Sequence, residues 1–260
     1  MCVRRCQPLD RWKDARDWYD GKTGKKFIEI MDWRWNFGTI YCAESTMGAR
    51  ASDTVRMTNT RPFKEKMLQK QPNFGTYHYS THAASKKIRT VVKDMFTDAF
   101  TSLPFSRDDE LKILDVGCGL GFLSCVSAEF YKNARVTGID TFKHASLKGS
   151  SLKRAKENAK ILGYSDRIDF KNGNIFTFTP TERFDIIISN LVFHNLGKRR
   201  FEAYSRLSSW MQADSYVVMG EFFFSPKTDL TQLSSEFRIL RETKPESDFR
   251  AYTLLVMSKG

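Results

Sequence analysis

The chain reads as an α/β protein: a doubly wound, seven-stranded, mainly parallel sheet that ends in an antiparallel hairpin, preceded by a mostly helical N-terminal cap. Three observations predict this. From about residue 108 onward, short apolar runs alternate with stretches of helical periodicity, the pattern of strands joined by right-handed crossovers. The run Leu111 to Val116 meets three glycines at alternate positions, Gly117, Gly119 and Gly121, and then an apolar stretch able to start a helix. The last two strand patterns are separated by only Lys244-Pro245-Glu246-Ser247-Asp248, too short for a crossover, so they pair antiparallel.

The elements follow in order. Leu111–Val116 is a buried strand and Gly121–Phe130 a helix; Ala134–Asp140 is the second strand. His144–Leu162 is predicted as a helix, because Leu147, Leu152, Ala155, Ala159 and Leu162 recur at roughly helical spacing with lysines between them, and Gly163 stands where a C-cap belongs. Arg167–Lys171 and Phe184–Ser189 are strands three and four, Arg199–Met211 a helix and Ser215–Phe223 the fifth strand. Asp229–Ser235 makes a short helix at most, before strands over Phe237–Thr243 and Ala251–Ser258. The domain boundary falls near 104/105. Residues 1–104 form the cap: Leu9–Tyr19 and Phe27–Trp35 look helical, Trp12, Trp18, Trp33 and Trp35 suit simple packing, residues 36–80 lack clean periodicity, and Thr81–Phe100 is a helix leading into the first strand.

Bulk properties narrow the classes. With 260 residues, 41% hydrophobic and 28% charged, the composition is that of a soluble globular protein. No apolar run approaches the roughly 20 residues of a membrane helix, and no apolar core follows the charged Met1–Cys6 segment, so a cytoplasmic location is expected. Cys2, Cys6, Cys42, Cys118 and Cys125 make neither a CxxC pair nor a framework, which suits reduced thiols; His78 and His82 lack a third ligand, so no metal is expected. The net charge of +12 is uneven: residues 1–104 hold 19 Lys and Arg against 11 Asp and Glu, and residues 105–260 hold 23 against 19. Attraction to an anionic partner (nucleic acid, a membrane surface or an acidic substrate) and plain solubility both fit.

The glycine loop carries most of the chemistry. Glycines at a strand–helix junction let a ligand approach the backbone closely, and Asp140 ends the second strand 21 residues after Gly119, where a carboxylate can accept from both hydroxyls of a ribose. The spacing Gly117-x-Gly119-x-Gly121 is not the G-x-G-x-x-G of dinucleotide folds.

With Leu114-Asp115-Val116-Gly117-Cys118-Gly119-Leu120-Gly121, Gly138-Ile139-Asp140, Asn172-Gly173-Asn174-Ile175-Phe176 and Phe184-Asp185-Ile186-Ile187-Ile188-Ser189-Asn190 in this order, residues 80–260 resemble a class I S-adenosylmethionine-dependent methyltransferase, most closely the small-molecule, quinone-biosynthesis-like group. The resemblance implies that Asp115 and the loop of Gly117, Cys118, Gly119 and Gly121 hold the methionine end of S-adenosylmethionine. It places Asp140 at the ribose and Thr141 or Phe142 near the adenine. Asn174, followed by Ile175, stands where the family usually has an aspartate that meets the adenine amino group; asparagine can still accept that bond. Asn190 would lie beside the methionine moiety or the acceptor mouth.

The acceptor is less legible. Relatives that methylate nucleic-acid or protein amines often carry an Asp/Asn-Pro-Pro-Tyr-like motif after strand four, where this chain has Asn190-Leu191-Val192-Phe193. A small, partly apolar methyl acceptor is the leading expectation, with His194 as a general base or as a residue that merely orders the following helix. Glu221, at the end of strand five, could accept a proton, pair with a cationic substrate, or be a solvated strand-end acid. Tyr77, His78, Tyr79 and Phe193 are candidate lid or acceptor residues, with Phe222, Phe223 and Phe224 nearby. The alternatives are an RNA (tRNA or rRNA) methyltransferase whose basic N-terminal region binds nucleic acid, and a non-enzymatic binding module. Basic, Trp-rich segments near the N-terminus also suit transient membrane contact.

Overall fold

The computed structural model describes residues 70–78, 80–246 and 251–260 in full, and of residues 1–69 the backbone of four strands. The chain divides into two units, Met1–Met67 and Leu68–Gly260. In the first, β1 (Val3–Arg5), β2 (Ala15–Asp20), β3 (Lys25–Met31) and β4 (Gly38–Ala43) form an antiparallel sheet in sequential order. This corrects the helices expected over 9–19 and 27–35, and with them the mostly helical cap. The register sets Asp20 opposite Lys25, so β2 and β3 are joined by Gly21-Lys22-Thr23-Gly24 alone. Glycines at both ends of so short a connection, between runs rich in aromatic and β-branched residues, favour a hairpin over two helices.

The second unit contains α1 (His82–Thr101), β5 (Lys112–Val116), α2 (Phe122–Phe130), β6 (Arg135–Asp140), α3 (Leu152–Ile161), β7 (Ile168–Asn172) and β8 (Phe184–Asn190). A 3-10 segment, Phe193–Arg199, then leads into α4 (Arg200–Ser209), β9 (Met211–Phe222), α5 (Pro226–Glu236), β10 (Phe237–Thr243) and β11 (Tyr252–Lys259). The seven strands lie in the order β10-β11-β9-β8-β5-β6-β7. β11 is antiparallel to both β9 and β10, and all other pairings are parallel. The mainly parallel sheet and its terminal hairpin are as expected.

Both faces of the sheet are covered, and the sequence shows why. Successive strand residues point to opposite faces. Ile113, Ile186, Ile188, Val218, Leu254 and Val256 enter one core, with Val92, Phe96 and Phe100 of α1. Their neighbours Leu114, Ile187, Val217, Met219, Leu255 and Met257 enter the other, with Ala203, Tyr204 and Leu207 of α4. A strand buried on both faces is apolar throughout, hence runs such as Ile186-Ile187-Ile188.

The helix expected over His144–Leu162 begins later, at Leu152, where the Ser151 hydroxyl accepts from the Arg154 N–H (3.3 Å). It ends as expected at Gly163, in a Schellman turn closed by Tyr164 N–H to Ala159 O (2.8 Å) and Gly163 N–H to Lys160 O (3.1 Å). Residues 144–151 are instead a loop, because Leu147 is used elsewhere. It pairs with Tyr77 across an antiparallel bridge, with His78 N–H donating to Ser146 O (2.7 Å) and Lys148 N–H to Thr76 O (3.1 Å). Asp229–Ser235 is the inner part of the longer α5. No helix among the described residues is long and apolar enough to cross a membrane.

Candidate functional site

The chain runs outward from β5 through β6 to β7, then returns to place β8 on the other side of β5. At such a switch point the connections leave in opposite directions and open a crevice beyond the carboxyl ends of the strands. A cleft of about 860 Å³ lies there. Its lining includes Asp115, Gly117, Cys118, Gly119, Asp140, Thr141, Asn174 and Ile175 together with Tyr77, His78, Asn190, His194, Phe222 and Phe224.

The glycine loop is fixed by its own backbone. Gly117 and Cys118 N–H both donate to Ile139 O (2.8 and 3.1 Å), and Gly121 N–H to Cys118 O (2.8 Å). Gly117 has φ +73°, and a Cβ there would run into the Val192 side chain; a Cβ on Gly119 would stand 2.8 Å from Leu147 Cδ2. Each Asp140 oxygen holds one loop amide, Oδ2 taking Gly119 N–H (2.9 Å) and Oδ1 taking Phe142 N–H (2.6 Å). A carboxylate offers about four acceptor positions, so lone pairs remain for a ligand. Phe142 and Leu191 are the non-glycine residues with left-handed φ among those described (54° and 56°). They follow the ends of β6 and β8, where backbone strain typically collects around functional sites.

Asp115 is 2% exposed and accepts from the Ser124 hydroxyl (2.5 Å). Burial pushes its carboxyl up to about 7; the Ser124 bond opposes this and the Asp140 charge adds to it. An acid with a raised folded-state value binds its proton more tightly folded than unfolded. Its contribution to stability is therefore present below the unfolded value of about 4 and is lost as pH rises toward about 7. Asp115→Asn should flatten that decline, read as melting temperature against pH from about 4 to about 7. An unchanged slope contradicts the assignment.

Glu221 is 1% exposed and does not line the cleft. Its Oε2 accepts from Val192, Phe193 and His194 N–H (2.9, 2.6 and 3.3 Å), and its Oε1 accepts from Phe222 N–H (2.7 Å) and meets His194 Nδ1 (2.5 Å). This corrects the expectation that Glu221 itself takes a proton from, or pairs with, a substrate. Phe193 is corrected too: it is fully buried and stacks on Tyr204 with centroids 5.1 Å apart. Gly121 and Phe142 support the loop but do not line the cleft. Tyr79 lies outside the described residues.

Sequence reasoning named Tyr77 and His78 as lid residues, and both line the cleft, but it missed the segment 144–150 that pairs with them and the side chain that ties the two down. Asn158 of α3 is 3% exposed; its amide donates to Asn73 O (3.0 Å) and Leu120 O (2.9 Å) and accepts from Asn73 N–H (2.8 Å), tying residues 73–78 to the glycine loop. A buried asparagine on the apolar face of an otherwise basic helix was its one signal in the sequence. Leu147 and Leu191 gave none. Asn190 was expected, but not its anchor: the Tyr252 hydroxyl donates to Asn190 Oδ1 (2.7 Å).

A family model described as a methyltransferase domain matches residues 107–249, more than half of the chain. The chain belongs to the methyltransferase domain family. The tRNA1(Val) (adenine(37)-N6)-methyltransferase of Vibrio campbellii is 31% identical to it over 88 residues, 34% of each chain. The trans-aconitate 2-methyltransferase of Streptomyces avermitilis is 32% identical over 95 residues, 36% of this chain and 33% of that one. The chain thus spans about a third of the length of the curated relatives it matches. Among solved structures, the [4+2]-cyclase SpnF superposes with a TM-score of 0.55 at 14% identity, covering 76% of this chain and 92% of that one. The ribosomal protein L11 methylase of Lactobacillus delbrueckii subsp. bulgaricus gives 0.51 at 19%, covering 66% and 78%. These likenesses establish the methyltransferase fold.

Proposed function

We propose that the cleft binds S-adenosylmethionine and serves methyl transfer to a small, partly apolar acceptor. The observation that carries this is the arrangement of Asp140 and the glycine loop. The carboxylate keeps acceptor capacity after holding Gly119 and Phe142 N–H, and the missing Cβ atoms of Gly117 and Gly119 let Val192 and Leu147 pack directly against the loop that lines the cleft. Asp140 would hold the ribose hydroxyls. Asn174, whose Oδ1 already accepts from Phe176 N–H (3.0 Å), would face the adenine beside Thr141 and Ile175. Asp115 would meet the cationic methionine end, which offsets the cost of its buried charge. When bound, the cofactor supplies an electrophilic methyl carbon on a positively charged sulfur. The protein's part is alignment and exclusion of water by the wall of residues 73–78 and 144–150. Fold alone does not set the reaction, as the cyclase neighbour illustrates.

The named substrates of the relatives fit less well. A tricarboxylate such as trans-aconitate wants cations, and the described lining contains no Lys or Arg. A base amine in an Asp/Asn-Pro-Pro-Tyr-like site wants an aromatic side chain to stack on, whereas Phe193 at that position is buried against Tyr204.

The RNA reading is kept by the tRNA-methylating relatives and by the basic residues 1–104. It predicts that tRNA binding weakens steeply between about 50 and 200 mM salt, by ~10³-fold if six or more phosphates are contacted. Filter binding across that range decides: the small-acceptor reading predicts absent or salt-insensitive binding, and a steep slope favours RNA.

A further inference from the structure

Two features go unused in binding a cofactor: the His194–Glu221 pair, and a described lining without Lys or Arg. Glu221 is buried and receives five donors, four of them backbone N–H groups of Val192, Phe193, His194 and Phe222. An ionised carboxylate only accepts, so a neutral imidazole 2.5 Å from its Oε1 must donate through Nδ1 and keep its lone pair on Nε2. The same carboxylate pins the start of the 3-10 segment on which His194 rides, so ring position and tautomer are set together. His194 lines the cleft, and its ring meets the edges of Phe222 and Phe224 at 5.9 Å each. Tyr77, Leu191 and Leu196 also line the cleft. The described lining has no Lys or Arg, and its two carboxylates, Asp115 and Asp140, are the ones assigned above to the cofactor.

Resting on the methyl-transfer reading above, we propose that His194 is the general base, that Glu221 is its positioning residue, and that the acceptor is an uncharged molecule bearing an acidic hydroxyl on an aromatic or conjugated frame. A neutral amine attacks through its own lone pair and sheds its proton afterwards. A hydroxyl must lose its proton as it attacks, and here a bare imidazole nitrogen is held ready to take it. Among the described lining residues, a carboxylate acceptor would find no Lys or Arg to pair with. In the step, the acceptor oxygen gives its proton to His194 Nε2 and forms a bond to the methyl carbon. The carbon–sulfur bond breaks toward sulfur, giving the neutral thioether S-adenosylhomocysteine, and the imidazolium returns its proton to water.

The test combines a tautomer measurement with a series of phenols. The chain has four histidines, so ¹⁵N-histidine labelling with His194→Asn as the assignment variant isolates the His194 signals. The wild type is expected to show the Nδ1–H form, and Glu221→Gln a mixture. With phenols of graded acidity, His194→Asn, whose amide can replace the Nδ1–H toward Glu221, should slow weakly acidic phenols by about 10²–10⁴-fold, while phenols already ionised at the assay pH lose less than about tenfold. Glu221→Gln should lower kcat with the KM for S-adenosylmethionine unchanged; if it fails to fold, His194→Asn still carries the test. An Nε2–H tautomer in the wild type, equal losses across the phenol series, or turnover of carboxylate or amine acceptors but no phenol overturns the inference. Titration with S-adenosylhomocysteine separates the two levels: binding retained with any of those results refutes only this inference, and no binding by folded wild type refutes the methyl-transfer reading beneath it.

Discussion

Replacing Asp140 by alanine should weaken S-adenosylhomocysteine binding by at least about a hundredfold while the sheet stays folded. Two hydrogen bonds from ribose hydroxyls to a carboxylate are each worth about 1.5–3 kcal/mol, so losing both weakens binding by roughly 10²–10⁴-fold. Within the protein, the Asp140 carboxylate holds Gly119 and Phe142 N–H, both in loops at the rim and neither in a ladder of the sheet. Far-ultraviolet circular dichroism should therefore be preserved. Asp140→Asn retains a carbonyl acceptor and should fall between wild type and alanine. Calorimetric titration of the three proteins makes the comparison, and equal affinities would remove Asp140 from the site.

Gly117→Ala should cost about 2–5 kcal/mol in stability. Alanine at φ +73° costs about 1–2 kcal/mol, and forcing its Cβ against Val192 adds about 1–3 kcal/mol of overpacking. For a unit of this size that is a drop of roughly 5–15 °C in melting temperature. The two parts separate in a double variant: Val192→Ala should restore the steric share and leave the backbone share. A Gly117→Ala protein that melts like wild type, or a double variant no better than the single, would contradict the geometry of the loop.

What the sequence revealed and what it concealed follow from the range of the interactions involved. The strands of the main sheet were legible because burial on both faces makes each a short apolar run, and because Gly117, Gly119 and Asp140 act through neighbouring backbone. The first-unit strands were misread as helices because Trp18, Phe27 and Ile30 suit either periodicity in so short a window, while the decisive signal was the four-residue link Gly21 to Gly24. The loop at 144–151 was misread because Leu147 falls only roughly into the helical spacing of Leu152 and Ala155, and its true partners, Tyr77 and Gly119, lie far away in sequence. Glu221 shows the same limit: a strand-end acid gives no sign that the amides of residues 192–194 converge on it.

The most direct test is calorimetric titration of the wild-type protein with S-adenosylhomocysteine, with NAD as the comparison ligand. One site of micromolar affinity for S-adenosylhomocysteine and no heat with NAD is the expected result. A folded protein that ignores S-adenosylhomocysteine, or binds NAD equally well, would contradict the assignment of this cleft.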